Sequence, residues 1–279
     1  MRIRLVSLLF AFMLCGTLPN RAAGAATTYY LALGDSLAQG VQWSATGDVL
    51  TNAGYADDLF VQFKQRIPGL QLEKLGCPSE TTISMIHGGA CNVYPGGVSQ
   101  LDAAISFLQT HSVAFVTLDI GGNDVDSCVS PAAIDTSCVQ AGLASVAANL
   151  PWILRELRRA AGPDTPIVAM NYYDPFLAAW TLIANGPALA MQSLQVATEF
   201  NVLLGTIYGV FDVPVADVAK AFRSYDLLPI PGDDIPVDVF VTLSWTWMDA
   251  PPPFGPDIHP NAAGYAAIAG AFAKKISPH

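Results

Sequence analysis

The sequence predicts an α/β fold with a mostly parallel sheet covered by helices on both faces. Two observations predict it. Short apolar runs alternate with stretches of helical spacing, and three of those runs are followed directly by glycine. Residues 28–34 are apolar and aromatic and end at Gly34, as a buried strand does. Residues 54–66 space Tyr55, Leu59, Phe60 and Phe63 as a helix would, and Pro68 and Gly69 stop them. Residues 70–75 alternate as a strand before Gly76. Residues 98–108 repeat Leu101, Ile105 and Leu108 at helical spacing. Residues 113–120 are the strongest strand signal, broken by Gly121 and Gly122. A long helix is expected over 139–160, with Pro151 as a kink or boundary. Strands are expected at 166–170 and 211–215 and helices at 187–208, 217–222 and 261–275. Residues 223–256, with Pro229, Pro231, Pro236 and the run Pro251–Pro253, read as one long loop facing substrate. Trp245 and Trp247 in that loop would stack on sugars, line an acyl site or pin the loop to the core.

The chain has 279 residues, 52% of them apolar, enough for one sizeable core. Residues 27–279 are therefore expected to form a single domain. Residues 1–26 have the pattern of a secretory signal peptide. Arg2 and Arg4 precede a mostly apolar run to Leu18, and the small residues Ala22–Ala26 follow. The run is short for a bilayer span, which needs roughly 20 residues. A secreted monomer with no stable membrane insertion is expected. The formal charge is −10, from 23 acidic and 13 basic residues; losing residues 1–26 removes three arginines and no acid, giving −13. Such a surface repels nucleic acid. Past residue 26 the cysteines are Cys77, Cys91, Cys128 and Cys138. An even number in an exported chain suggests disulfides. Of three possible pairings, the local one, Cys77–Cys91 with Cys128–Cys138, is expected.

Sites in open α/β sheets form beyond the C-terminal strand ends. Asp35-Ser36, Gly76 and Gly121-Gly122-Asn123-Asp124 occupy three such ends, and Asp257-Ile258-His259-Pro260 precedes the last helix. A serine hydroxyl is a weak nucleophile that needs an adjacent base, and a histidine oriented by a carboxylate supplies one. Backbone N–H groups near Ser36 and Gly76, and the Asn123 amide, are donors for an oxyanion. Each piece alone has an ordinary reading: Asp35, Asp119 and Asp124 as turn or capping residues, Asp217 as an N-cap, His259 as a loop histidine. The weight lies in the combination. The Gly-x-Ser-x-Gly elbow, the phosphate loop, the His-Glu-x-x-His zinc signature and the dinucleotide fingerprint are all absent.

Four blocks, in order, resemble those of the SGNH hydrolases, the GDSL-type esterases and lipases. They are Gly34-Asp35-Ser36-Leu37, the stretch from Leu75 to Thr82, Gly121-Gly122-Asn123-Asp124, and Asp257 to Pro260. Asn171 to Phe176 is similar to a strand-end segment of secreted bacterial members. The resemblance spans nearly all of residues 28–275. It implies a flavodoxin-like three-layer α/β/α fold and ester hydrolysis without cofactor or metal. It makes Ser36 the nucleophile, His259 the base, and Gly76 and Asn123 the oxyanion donors. The Cys77–Cys91 bridge would then brace the loop that carries Gly76. The sequence departs from the family in two places. Pro256 stands where the family's acid usually does, three residues before the histidine, so either Asp257 or a backbone carbonyl orients His259. Ser79 stands where many relatives carry glycine. The expected substrate is a small-molecule or lipid ester. The alternatives are an O-acetylated carbohydrate or, on a retired scaffold, a binding role without catalysis.

Overall fold

Residues 26–277 are described by the computed structural model of the protein. Apart from Ala26, the expected leader lies outside the described residues. In chain order the first half runs β1 (Thr28–Gly34), α1 (Ser36–Gln39), β2 (Val41–Gln42), β3 (Val49–Leu50), α2 (Tyr55–Phe63), β4 (Leu70–Lys74), α3 (Thr82–His87), α4 (Gln100–Thr110) and β5 (Val113–Asp119). The second half runs α5 (Thr136–Ala161), β6 (Ile167–Met170), α6 (Ala179–Leu182), α7 (Gly186–Val210), β7 (Val215–Ala216), α8 (Val218–Ala221), α9 (Val237–Trp245), β8 (Thr246–Trp247), β9 (Asp257–Pro260) and α10 (Ala262–Ala273).

Five strands form one sheet in the order β4-β1-β5-β6-β7, and every pairing in it is parallel. The chain crosses from β4 on one side of β1 to β5 on the other, so the strand order reverses at the C-terminal end of β1. That crevice is where open α/β sheets bind ligands. Helix α10 packs on α2 and α8 in one covering layer, and α5 packs on α3, α4 and α7 in the other. This is the three-layer α/β/α fold that the alternation of strands and helices predicts.

Strands covered on both faces must be apolar throughout. Leu31, Ala32 and Leu33 of β1 and Phe115, Val116 and Leu118 of β5 are accordingly buried. Tyr30 stacks on Phe115 with ring centroids 4.4 Å apart, and Tyr55 stacks on Phe272 at 4.9 Å, tying α2 to α10. Each such fully buried aromatic stabilises the fold by about 1.5–3 kcal/mol.

Two sequence expectations are corrected. Helix α7 runs on to Val210, so the strand expected at 211–215 shrinks to Val215–Ala216. Residues 223–256 are not one loop. Pro236, extended, caps α9, which buries Val239 against Leu177, Ala190 and Leu194. Helix α5 continues through Pro151. Both expected disulfides are present, with Cα–Cα separations of 6.0 Å for Cys77–Cys91 and 5.5 Å for Cys128–Cys138.

Candidate active site

Ser36 is the first residue of α1, one step past the β1 turn. The turn is tight. Gly34 has φ +135°, and a Cβ there would overlap the Asp119 carbonyl, so only glycine fits. The Asp35 carboxylate caps α1 by accepting the Leu37 N–H at 2.9 Å. Gln100 clamps the Gly34 peptide from the side: its Oε1 accepts the Gly34 N–H at 2.7 Å and its Nε2 donates to the Gly34 carbonyl at 2.8 Å. These contacts hold the backbone on both sides of Ser36.

His259 arrives on β9, which pairs antiparallel with β8. Its Nε2 lies 2.8 Å from Ser36 Oγ. Its Nδ1 lies 2.8 Å from Asp257 Oδ1, and its backbone N–H donates to the same oxygen at 2.7 Å. The extended backbone of β9 lets an acid only two residues away reach both groups. A carboxylate therefore faces the outer nitrogen of His259. With Nδ1–H donating to it, Nε2 is free to accept the Ser36 proton. Burial opposes the charge on Asp257. Hydrogen bonds from His259 and Asp48, with the attraction of the imidazole, outweigh it and hold the carboxyl below its ordinary range. Tyr173 donates to the Ile258 carbonyl at 2.7 Å, fixing the residue between acid and histidine.

Asn123 follows β5 in a short turn opened by Gly121. Its Nδ2 donates to the Glu80 carbonyl at 3.0 Å. The amide carries two hydrogens, and no second acceptor for it is found among the described residues. The next residue, Asp124, accepts the Thr82 N–H and hydroxyl at 2.8 and 2.7 Å, bolting this turn to the 75–82 loop. Ser36, Asn123 and His259 line one cleft of about 700 Å³, measured with its open mouth. Gly76 does not line it. It lies against the Ser36 turn, where a Cβ would come within 2.8 Å of the Asp35 carbonyl and 2.6 Å of the Ala38 Cβ. Ser79 does not line the cleft either. Trp247 packs on Trp43 and Trp245 on Phe222, and neither lines the cleft.

The rest of the cleft is mainly apolar, with Val129, Phe176, Val196 and Phe200 among its walls. Two further carboxyls line it. Burial, reinforced by neighbouring carboxylates, pushes Asp126 up to about 8. Burial also pushes Asp174 up to about 7, against hydrogen bonds from Ser193 and the Phe176 N–H. Asp126 is thus mostly uncharged near neutrality and Asp174 only partly charged, which lessens the charge on this wall.

Several residues of the site have roles that the sequence does not signal, although Glu80 and Tyr172 lie within segments that resemble the family. Gln100, Glu80, Tyr55 and Tyr172 act through buried hydrogen bonds that only the tertiary fold creates. Tyr55 donates to Asp119 Oδ1, whose other oxygen accepts the Asp35 N–H at 3.1 Å. Tyr172 donates to Asp35 Oδ2 at 3.3 Å. Asp48, between β2 and β3, brings an oxygen 3.9 Å from His259 Nδ1.

A family model described as the GDSL-like lipase/acylhydrolase family matches residues 32–267. No match was found among curated protein sequences. Among solved structures the chain is similar to a phospholipase A1 from Streptomyces albidoflavus, with 21% identity and a TM-score of 0.58, covering 90% of this chain and 100% of that one. It is also similar to an extracellular lipase from Streptomyces rimosus, with 16% identity, a TM-score of 0.59 and coverage of 89% and 100%. An acetylxylan esterase from Geobacillus stearothermophilus shares the fold at 15% identity, with a TM-score of 0.53 and coverage of 91% and 96%. With the family model spanning most of the residues, the chain belongs to the GDSL-like lipase/acylhydrolase family, enzymes that hydrolyse carboxylic esters.

Proposed function

We propose that this chain hydrolyses esters of apolar acyl chains by acyl transfer through Ser36, and that it does so after export, its residues 1–26 serving as the leader. The observation that carries the proposal is the chain of contacts Ser36–His259–Asp257, 2.8 Å at each link. Ser36 Oγ attacks the ester carbonyl carbon while its proton passes to His259 Nε2. The carbonyl π electrons move onto oxygen, and the second Asn123 N–H binds that oxyanion. The oxyanion collapses, the alcohol leaves with the proton from Nε2–H, and the acyl group stays on Ser36. Water then attacks the acyl-enzyme, giving its proton to His259, which returns it to Ser36 as the acid departs. Gly76 supports this site by letting the 75–77 backbone lie against the Ser36 turn.

The apolar cleft wall favours an acyl chain over a sugar. The tryptophans that would serve as a sugar platform pack elsewhere. The test compares p-nitrophenyl acetate, butyrate and octanoate with acetylated xylan, in the wild type and in Ser36→Ala. The proposal expects butyrate or octanoate to give the highest kcat/KM. It also expects Ser36→Ala to lose activity by roughly 10⁴-fold or more. Activity that survives Ser36→Ala contradicts the assignment of the nucleophile. A preference for acetylated xylan contradicts the substrate class.

A further inference from the structure

We infer that Asp48 is a second acid of the relay, a positioning residue whose carboxylate acts on His259 alongside Asp257 and assists the base as it takes up the Ser36 proton. The inference rests on the reading of His259 as that base. An oxygen of Asp48, an oxygen of Asp257 and a ring nitrogen of His259 all lie within 4.8 Å of one another, and Asp48 Oδ2 is 3.9 Å from His259 Nδ1. No motif links these residues: Asp48 comes from the β2–β3 connection and the other two from β9.

The connection that carries Asp48 is a built structure. Ser44 Oγ accepts the Thr46 N–H at 3.2 Å and donates to the Gly47 carbonyl at 2.5 Å. Tyr265 of α10 donates to the Val41 carbonyl at 2.6 Å at the base of β2. Trp43 packs on Trp247, centroids 5.6 Å apart, and Trp247 belongs to β8, the partner of β9. The Asp48 loop and the His259 hairpin are thus joined by an aromatic pair. This gives Trp247 a role in the site although it does not line the cleft.

The titratable groups that bear on Asp48 are Asp257 and His259, and among the described residues no lysine or arginine pairs with it. Partial burial, then the hydrogen bond and negative charge of Asp257, push its carboxyl up to about 6, against the opposing pull of His259. Below that pH, Asp48 is neutral and donates to the Asp257 carboxylate. Above it, Asp48 places a second negative charge beside the imidazole that becomes cationic when Ser36 attacks. Charge attraction at about 4 Å near the surface is worth roughly three- to tenfold in rate after solvent screening. The gain switches on as pH rises through about 6.

The experiment measures kcat and KM for p-nitrophenyl butyrate from pH 5 to 8 in wild type, Asp48→Asn and Asp48→Glu. Each variant's folding is checked by its thermal transition. The asparagine keeps a donor for Asp257 but carries no charge. The expected wild-type to Asp48→Asn ratio of kcat is near one at pH 5 and climbs about three- to tenfold by pH 8. KM should stay unchanged, Asp48→Glu should recover part of the loss, and 1 M NaCl should shrink the ratio. A ratio that is flat across the range overturns the inference, as does a glutamate variant no better than the asparagine. If the wild type itself shows no Ser36-dependent turnover, the proposed mechanism fails instead, so the two failures are distinct.

Discussion

Two pairs of carboxylates flank Ser36 and do opposite work. Behind the serine, Asp35 and Asp119 are buried and surrounded by fixed donors: the Leu37 and Asp35 N–H groups, Tyr55 and Tyr172. Burial raises both carboxyls; the charge and hydrogen bond of Asp35 push Asp119 further, while the hydrogen bond with Asp119 pulls Asp35 back, so Asp119 is the member that resists ionisation. In front, Asp257 is buried but faces an imidazole, and Asp48 is about half exposed. There the partner is a group that becomes charged during reaction, so charge on the pair is useful. Surroundings decide the role: the rear pair serves as a strut that shapes the nucleophile turn, and the front pair serves as the electrostatic partner of the base.

Breaking the front pair is expected to have the largest effect. Asp257→Asn should lower kcat by about 10³–10⁴-fold with little change in thermal stability, because His259 loses the acceptor that sets its tautomer. Steady-state kinetics with a melting curve checks both halves. Asn123→Ala, which touches neither pair, should cost about 10²–10³-fold in kcat if its amide binds the oxyanion. A change confined to KM would remove it from that role. Breaking the rear pair should act on stability first. Asp119→Asn sets an amide N–H against the Tyr55 hydroxyl or against the Asp35 N–H, which keeps the Asp119 main-chain carbonyl as acceptor at 3.1 Å, at a cost of about 1–3 kcal/mol in chemical denaturation. The pH dependence sharpens the contrast. A buried acid with a raised folded value keeps its proton longer in the native state than in the unfolded chain. Its contribution to stability is therefore fullest below about pH 4 and declines as pH rises through the folded value. Asp119→Asn should flatten its part of that slope. A slope unchanged from wild type would show that Asp119 is ionised in the fold.

The sheet was legible because its central strands β1 and β5 are apolar on both faces and three of its strands stop at glycine. Gly34 is the clearest case, since the tight approach to Asp119 that demands glycine also places Ser36 at a strand end. The order of the four blocks carried the site, and the corner it left open concerned the partner of His259. The irregular spacing of Asp257 could be resolved only by the extended backbone of β9, which turns a separation of two residues into direct contact. Asp48 and Gln100 were illegible for a different reason. Their partners lie far away in sequence, and nothing local distinguishes them from turn, helix-start or loop residues. Helix α9 was hidden by the prolines of the segment before it and by β-branched residues that suit a strand as well as a helix, until Val239 found its apolar neighbours. The overextended strand at 211–215 is a boundary error of the same origin, because Phe211 continues the apolar character of α7.

The central claim is that Ser36 is the residue that becomes acylated. Its most direct measurement is covalent labelling of the folded enzyme with a serine-reactive phosphonate, followed by peptide mass spectrometry. The account predicts one adduct per chain, on Ser36, formed in step with loss of ester hydrolysis and much slower in the Asp257→Asn variant. An enzyme that stays unlabelled, or one inactivated by an adduct on another serine such as Ser79, would contradict it.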